Sequence, residues 1–308
     1  MEVYNVPVWA RVFESLHDEQ MNHFWRPPLK EKFLRDISDW KSVPSGVKRK
    51  IKTVLRLLTL MEVEVIDGIS CINHELPRII GIMLGMQEAM EGIHTRSYSV
   101  IDSILEYDGP LLDDMIEKRM SILMWNKSDM SLAEKLVHLS CSEGIAFNSL
   151  FCLFFLLEMK GLLPMTCTIN KEVLSDEYLH TRSSAVLYNS LIDEGIIERL
   201  DKDKVYDIVN RYVLIDDIAS ESLYGDDDPF FLNMSGSNSK IYTRIIANSV
   251  LLSLGYDRIY STSDNPYKFI DQSLVNTLEF FFDKDVVAYG LDAENKYDVE
   301  SEDEECYV

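Results

Sequence analysis

The chain has 308 residues, of which 46% are hydrophobic, and its formal net charge is −22. This length and apolar content are sufficient for a large buried core in one or two domains. The negative charge argues against a nucleic-acid-binding surface, because phosphate contacts require clustered lysine and arginine.

Helical periodicity dominates from the N-terminus onward, and few segments alternate as strands do. Breakers such as Gly-Leu-Leu-Pro at 161–164 separate the periodic segments. The predicted helices cover residues 10–24, 46–70, 75–107, 110–125, 131–160, 170–198, 203–220, 239–254 and 267–287. The sequence therefore predicts an all-α protein.

The last seventeen residues differ from the rest. Residues 292–308 carry eight acidic side chains and one lysine, with almost no apolar content before Tyr307 and Val308. Such a composition is typical of a disordered acidic tail. We predict one helical domain over 1–291 and a flexible tail over 292–308. The tail serves either solubility or docking, and its apolar end favours docking.

Several features bear on the compartment. The five cysteines are odd in number and form no CxxC pair, which indicates free thiols rather than disulfides or a zinc site. No basic region precedes an apolar run at the N-terminus, so no signal peptide is predicted. The most apolar stretch, 146–157, is too short to span a bilayer. We expect a soluble, cytoplasmic protein with no membrane span.

Two Glu-x-x-His quartets are the strongest functional signal. They begin at Glu91 and Glu177 and end at His94 and His180. Residues three apart share a helix face, so each quartet directs a carboxylate and an imidazole at one point. Two such turns, with one glutamate from each of two further helices, form a known cradle for two iron or manganese ions. A third quartet, at 14–17, has no upstream partner and is interpreted as a surface turn.

Each quartet has a glutamate upstream in an apolar helix. Glu62 precedes the first quartet by 29 residues, and Glu143 precedes the second by 34. Four buried carboxylates would be very costly without counter-ions, whereas two divalent cations balance them. Carboxylates with one imidazole per ion favour iron or manganese over zinc. The alternative is a set of buried Glu and His residues satisfied by ordinary hydrogen bonds.

Tyr98 lies one turn beyond His94 on the same helix stripe. Phe147 and Phe151 follow Glu143 by one and two turns, and Val173 precedes the second quartet by one. Together they would form a dry apolar wall. A tyrosine on such a face is usually core packing. Beside an oxygen-activating metal pair, however, it is a natural one-electron donor.

The run Met-Glu-Gly-Ile-His-Thr-Arg-Ser-Tyr-Ser at 90–99 closely resembles the radical-site helix of the small subunit of class I ribonucleotide reductase. The resemblance extends over roughly residues 10 to 290. Its other parts are Phe-Trp-Arg-Pro at 24–27, Leu-Thr-Leu-Met-Glu at 58–62, Ser-Asp-Glu-Tyr-Leu-His at 175–180, and the segment from Phe-Phe-Phe-Asp-Lys at 280–284 to Ala-Tyr at 288–289.

This resemblance implies a ferritin-like helical bundle with two iron ions per chain. Oxygen would react there and oxidise Tyr98 to a stable radical, which the large subunit uses to reduce ribonucleotides to deoxyribonucleotides. The implied metal ligands are Glu62, Glu91, His94, Glu143, Glu177 and His180.

The resemblance also implies a route out of the site and a set of partners. His94, Asp176 and Trp25 would form a hydrogen-bonded path, and Tyr289 would relay the electron to the large subunit. The acidic tail would dock that subunit, and the small subunit would be a homodimer.

One departure concerns the first ligand, which is usually Asp in this family and is Glu62 here. Glutamate also occurs there in variants with a mixed manganese–iron centre, but those variants lack the radical tyrosine, and Tyr98 is present. Iron is therefore the first expectation, with manganese or a mixed centre open. The tail ends in Glu-Cys-Tyr-Val, which differs from common family endings and suggests specificity for its own large subunit.

Three other functions compete with this reading. A di-metal oxidase or hydroxylase would use the same cradle on a small ligand, but would need neither Trp25 beside Asp176 nor Tyr289. Iron storage is disfavoured, because the chain is much longer than one four-helix bundle requires. A non-enzymatic helical interaction protein would bind no metal.

Overall fold

The structure is a computed structural model that describes residues 5–72, 76–124, 129–224, 230, 234–262 and 264–273, with side chains described up to residue 270. Within these ranges every regular element is a helix, which confirms the predicted all-α class. Two short 3₁₀ helices, Val8–Ala10 and Lys30–Phe33, lie near the N-terminus. The α-helices are α1 Val12–Asn22, α2 Leu34–Trp40, α3 Ser45–Ser70, α4 Arg78–Ile104, α5 Asp113–Leu123, α6 Leu132–Gly144, α7 Asn148–Met159, α8 Pro164–Asp193, α9 Lys202–Leu223, α10 Gly236–Ser253 and α11 Lys268–Ser273.

Four long helices build the ferritin-like bundle. Helix α3 packs mainly against α4, and α6 packs mainly against α8, while α3–α6 and α4–α8 contacts join the two pairs. Helices α9 and α10 cover α6, and α1 lies against α4 and α8. The four bundle helices therefore face one another around a common interior, where the polar residues of the two quartets are placed.

The predicted helix at 131–160 is wrong as a single element, because it is interrupted between α6 and α7. Asn148 donates to the carbonyl of Gly144 at 2.7 Å and to that of Ile145 at 3.1 Å. The buried Arg119 guanidinium donates to the carbonyl of Ala146. These side chains satisfy carbonyls that a continuous helix would have paired internally.

Gly144 allows the close helix packing at this interruption. A Cβ atom there would lie 2.7 Å from a methyl carbon of Val250 and 2.9 Å from one of Thr181. Only a residue without a side chain therefore fits between α6, α8 and α10. The last turn of α6, which carries Glu143, is held firmly against α8.

The start of α8 and the presence of α2 also differ from prediction. Helix α8 begins at Pro164 rather than at 170, because proline at the first helical position lacks only an N–H that is unpaired there anyway. The short helix α2 was not predicted. Its Asp36 accepts from the backbone N–H groups of Met165 and Thr166, and so caps the start of α8.

One helical stretch among the described residues, Leu132–Met159, is long and apolar enough to cross a membrane by length and composition. All of its most apolar window is buried inside the protein. It comprises α6 and α7, and the apolar stretch 146–157 therefore belongs to the core of the bundle.

Candidate metal centre

The structure brings the six predicted metal ligands together in two overlapping groups. All six side chains are at most 2% exposed. Within each group the potential ligand atoms lie within 4.8 Å of one another. The first group is Glu62, Glu91, His94 and Glu177, and the second is Glu91, Glu143, Glu177 and His180. Each bundle helix contributes, since Glu62 is on α3, the first quartet on α4, Glu143 on α6 and the second quartet on α8.

Glu91 connects the two groups through its two oxygens. Its Oε2 lies 3.0 Å from Nδ1 of His94, and its Oε1 lies 2.7 Å from Nδ1 of His180. Oε1 of Glu177 lies 3.1 Å from Nδ1 of His94, and Oε2 of Glu143 lies 3.2 Å from Nδ1 of His180. Neighbouring ligands of an ion bound at about 2.1 Å are about 3 Å apart. The spacing therefore suits one cation in each group, with Glu91 shared.

The carboxylate oxygens are oriented for ligands that the protein itself does not supply. Six of the eight carboxylate oxygens are buried and make no hydrogen bond of normal geometry in the described part of the chain, although a histidine nitrogen lies close to three of them. These six are both oxygens of Glu62, both of Glu177, Oε1 of Glu91 and Oε2 of Glu143. Burying such groups without partners is costly. Two divalent cations would balance the four carboxylates and bind these free oxygens. The donor set thus fits a metal pair.

The pKa values of the four buried glutamates also reflect the cost of burying charge. Burial raises the pKa of Glu143 to about 8 and that of Glu177 to about 7, and it raises the pKa of Glu62 as well. Burial would also raise the pKa of Glu91, but His180 and His94 hold it well below its usual range. Without cations, burial thus favours the protonated form of Glu62, Glu143 and Glu177. Metal binding must displace these protons.

The two histidines differ in the hydrogen bonding of Nε2, the ring nitrogen that faces away from the glutamate carboxylates. Nε2 of His94 lies 2.9 Å from Oδ2 of Asp176, and the same oxygen accepts from Nε1 of Trp25 at 2.7 Å. The Trp25 and His94 rings are stacked with centroids 6.0 Å apart. Nε2 of His180 is buried and has no hydrogen-bond partner among the described residues. A carboxylate behind a ligating histidine fixes its tautomer and orientation, so the structure orients His94 more strongly than His180.

Tyr98 is fully buried, and burial raises the pKa of its phenol well above the usual value. Its hydroxyl lies 3.5 Å from Oδ1 of Asn170. Phe147, Phe151 and Val173 are all buried, and the two phenylalanine rings are stacked with centroids 5.5 Å apart. The three residues of the predicted apolar wall therefore lie in the same hydrophobic core as Tyr98, and burial favours the neutral, protonated phenol.

Two carboxamides in the centre were not predicted. Gln87 lies one turn before Glu91, and its Nε2 donates to Oε1 of Glu143 at 2.8 Å, which leaves Oε2 of that carboxylate for a metal. Asn170 lies two turns before Glu177. Both are at most 1% exposed. The signal that could have found them is a polar residue continuing the inward stripe of a ligand-bearing helix.

Two sequence features lie elsewhere. Tyr289 is outside the described residues. The third quartet lies on α1, where His17 contacts Asp18 at 3.4 Å and is partly exposed. It belongs to neither metal-ligand group, as the interpretation of a surface turn required.

Most of the chain matches one protein family. Residues 6–266 match the family model described as ribonucleotide reductase, small chain. The chain is also 30% identical over 270 residues to the ribonucleoside-diphosphate reductase small chain of Trypanosoma brucei brucei, a match that covers 82% of this chain and 77% of that protein. The chain belongs to the ribonucleotide reductase small-chain family. The resemblance seen in the sequence is therefore confirmed. The protein is the small subunit of a ribonucleoside-diphosphate reductase, an oxidoreductase.

Solved structures show the same fold. A dimanganese(II) protein from Streptococcus sanguinis superposes with a TM-score of 0.69 at 17% identity, covering 86% of this chain and 96% of that one. A ribonucleotide reductase homodimer from Saccharomyces cerevisiae gives a TM-score of 0.69 at 19% identity, covering 90% and 89%. These similarities confirm the ferritin-like bundle of the reductase small chain.

Proposed function

We propose that this small subunit generates the radical of its reductase on Tyr98, beside a metal pair held by the six clustered ligands. The observation that carries the proposal is the sharing of Glu91 and Glu177 between two groups of buried, convergent ligand atoms, with six of the eight carboxylate oxygens making no hydrogen bond in the described part of the chain. A pair of single-ion sites would not need shared ligands. When bound, the metal pair supplies the oxidising chemistry with O2. The large subunit then uses the radical to reduce ribonucleotides to deoxyribonucleotides.

Two iron ions per chain are the proposed cofactor. Oxygen-rich ligation with one imidazole for each ion suits iron or manganese. Glu62 binds only in the group of His94, and Glu143 binds only in the group of His180. Manganese or a mixed pair uses the same donors, and a protein of this fold is described as dimanganese(II).

Residues of this chain bury the radical site and connect the metal cluster to the protein surface. Tyr98 is fully buried in the hydrophobic core, which excludes water from the phenol. The hydrogen-bonded series from His94 through Asp176 to Trp25 leads from the cluster to a partly exposed indole. We assign to this series the path along which an electron and its compensating proton pass toward the large subunit, with Tyr289 as the next relay.

Reconstitution of the metal-free protein with ferrous iron and oxygen tests this function. We expect uptake of two ions per chain and a tyrosyl signal in electron paramagnetic resonance. A di-metal hydroxylase on the same cradle would bind the ions but would leave no stable radical. Metal uptake without a radical, with iron and with manganese, would therefore overturn the proposal.

A homodimer is the proposed assembly, and α4 offers the surface for it. Gly81, Ile82 and Gly85 are exposed along the outer face of α4, and Ile82 is 40% exposed. On the neighbouring helix α3, Leu60 and Val63 are 36% and 43% exposed. Small and apolar residues on one face of so acidic a chain suit close helix packing against a second copy.

Gly85→Arg is expected to convert the dimer into a monomer. A Cβ at position 85 meets nothing within 4 Å, so the arginine fits the isolated subunit but would lie in the contact between copies. Sedimentation velocity measures the change. Gly46→Arg is the matched control, because Gly46 is also an exposed helical glycine with no neighbour within 4 Å. A dimer that persists in Gly85→Arg would place the interface elsewhere.

The acidic tail, residues 292–308, is proposed to dock the large subunit. Deleting it is expected to abolish reductase activity with the large subunit, while metal uptake and radical yield stay unchanged. The two metal groups are complete with residues from the four bundle helices, which is the reason for expecting this separation. Activity assays and paramagnetic resonance on the same preparation measure both. Loss of the radical on truncation would contradict a docking role.

The cytoplasmic location of the protein also stays a prediction.

A further inference from the structure

We propose that Asn170 is a positioning residue for the phenol of Tyr98, as its acceptor in the resting state and its donor in the radical state. The inference rests on the proposed function, in which Tyr98 carries the radical. It adds a residue on α8 to a site whose tyrosine belongs to α4.

The phenol of Tyr98 and the amide of Asn170 are buried together in the core. Tyr98 is 0% exposed and Asn170 is 1% exposed. The contact between the phenol hydroxyl and Oδ1 of Asn170, at 3.5 Å, is the one hydrogen bond recorded for either side chain in the described part of the chain. Nδ2 of Asn170 has no partner there. Because buried polar groups are rarely left without partners, the two side chains depend on each other.

The pair lies next to an apolar core. Tyr98 belongs to the same hydrophobic cluster as Phe147, Phe151 and Val173, whose side chains offer neither donor nor acceptor. An asparagine at position 170, one turn before Val173 on the same stripe, costs desolvation that an aliphatic residue would avoid. A hydrogen bond to the Tyr98 phenol offsets this desolvation cost. The contact is long for an O–H···O bond, so it orients the phenol without holding it tightly.

The amide of Asn170 can serve both states of the phenol. Forming the radical removes one electron and the phenolic proton, both taken up by the oxygen-derived oxidant of the proposed function. The phenoxyl oxygen that remains can only accept a hydrogen bond. A carboxamide is a donor and an acceptor in one planar group, and Nδ2 of Asn170 is available. A half-turn of this amide would replace the O–H···O contact by an N–H···O contact with no other movement.

Asn170→Leu tests the proposal, because leucine has a similar volume and suits the apolar wall. In the metal-free protein, ¹³Cζ labelling of tyrosine should show a shift of the Tyr98 resonance, identified by its absence in Tyr98→Phe. In the reconstituted protein after exchange into D₂O, the wild-type radical should show an exchangeable deuteron coupling. Asn170→Leu should lose this coupling, raise the largest g-value and shorten the radical half-life several-fold.

Two further variants make the result specific. Ile169→Leu, a volume-conserving change at the next buried position, should leave all of these signals unchanged. Asn170→Asp keeps the shape and, where burial holds it neutral, both an acceptor and a donor, so it should restore the deuteron coupling. An unchanged coupling in Asn170→Leu, or no coupling in the wild type, would overturn this inference alone. Absence of any Tyr98 radical in the wild type would instead overturn the proposed function.

Discussion

Glu91→Ala is expected to abolish binding of both metal ions. Glu91 is the residue whose two oxygens face the two histidines separately, 3.0 Å from His94 and 2.7 Å from His180. Its removal takes one ligand from each group and leaves the two imidazoles without the carboxylate between them. The loss should exceed the roughly 10- to 100-fold in affinity that changes behind the ligands typically cost. Metal analysis after reconstitution and desalting should fall from two ions per chain to near zero.

Glu88→Ala is the matched control for this change. Glu88 is on the same helix, partly buried, and accepts from the hydroxyl of Ser70 at 3.1 Å, outside both metal groups. It should bind two ions as the wild type does. Retention of one ion per chain in Glu91→Ala would show two independent sites, and the assignment of Glu91 as the shared ligand would then be wrong.

Single-residue replacements at Glu62 and Glu143 should behave differently from Glu91→Ala. Each of these glutamates belongs to one group only. Their loss should therefore weaken one ion more than the other, whereas the loss of Glu91 removes both. The order of ion loss during titration with a chelator distinguishes the two cases.

The helical class and most helix positions could be predicted from the sequence, because periodic apolar residues specify which face is buried. The interruption between α6 and α7 could not. Residues 145–147 are as apolar as their neighbours, and the break depends on side chains distant in sequence. Arg119 on α5 and the close approach of Val250 to Gly144 are properties of packing, which periodicity does not record.

The clustering of the six candidate ligands could be predicted because metal chemistry restricts residue types strongly. Glutamate and histidine three residues apart have few explanations in an apolar helix. Gln87 and Asn170 lacked such a signal, since a carboxamide carries no charge to be balanced and has no fixed spacing from a quartet. Their roles depend on which atoms they face across the bundle, and only the structure gives that information.

The carboxylate cluster and the Tyr98 phenol differ in the free-energy cost of their burial. Six of the eight carboxylate oxygens are buried without a hydrogen bond in the described part of the chain, so the carboxylates need cations to be stable in their charged form. Tyr98 is buried as a neutral group and costs little in that form. Removing the phenolic hydroxyl should therefore affect the radical while leaving metal binding and folding nearly intact.

Tyr98→Phe is thus expected to bind both ions, to lose the tyrosyl signal completely and to reduce reductase activity with the large subunit to background. Phenylalanine keeps the ring in the apolar wall and removes only an oxygen with one long hydrogen bond, so the melting temperature should change little. Metal content, paramagnetic resonance and activity on one preparation measure the three effects.

Tyr188→Phe provides the comparison that makes this result decisive. Tyr188 is also a fully buried tyrosine, and its hydroxyl contacts Tyr256 and the backbone N–H of Leu200. Losing these two contacts should lower stability by about 1–3 kcal/mol, yet the radical and the activity should persist. A radical that survives in Tyr98→Phe would move the oxidised residue elsewhere. A radical lost in both variants would show that the signal depends on core packing rather than on the Tyr98 phenol.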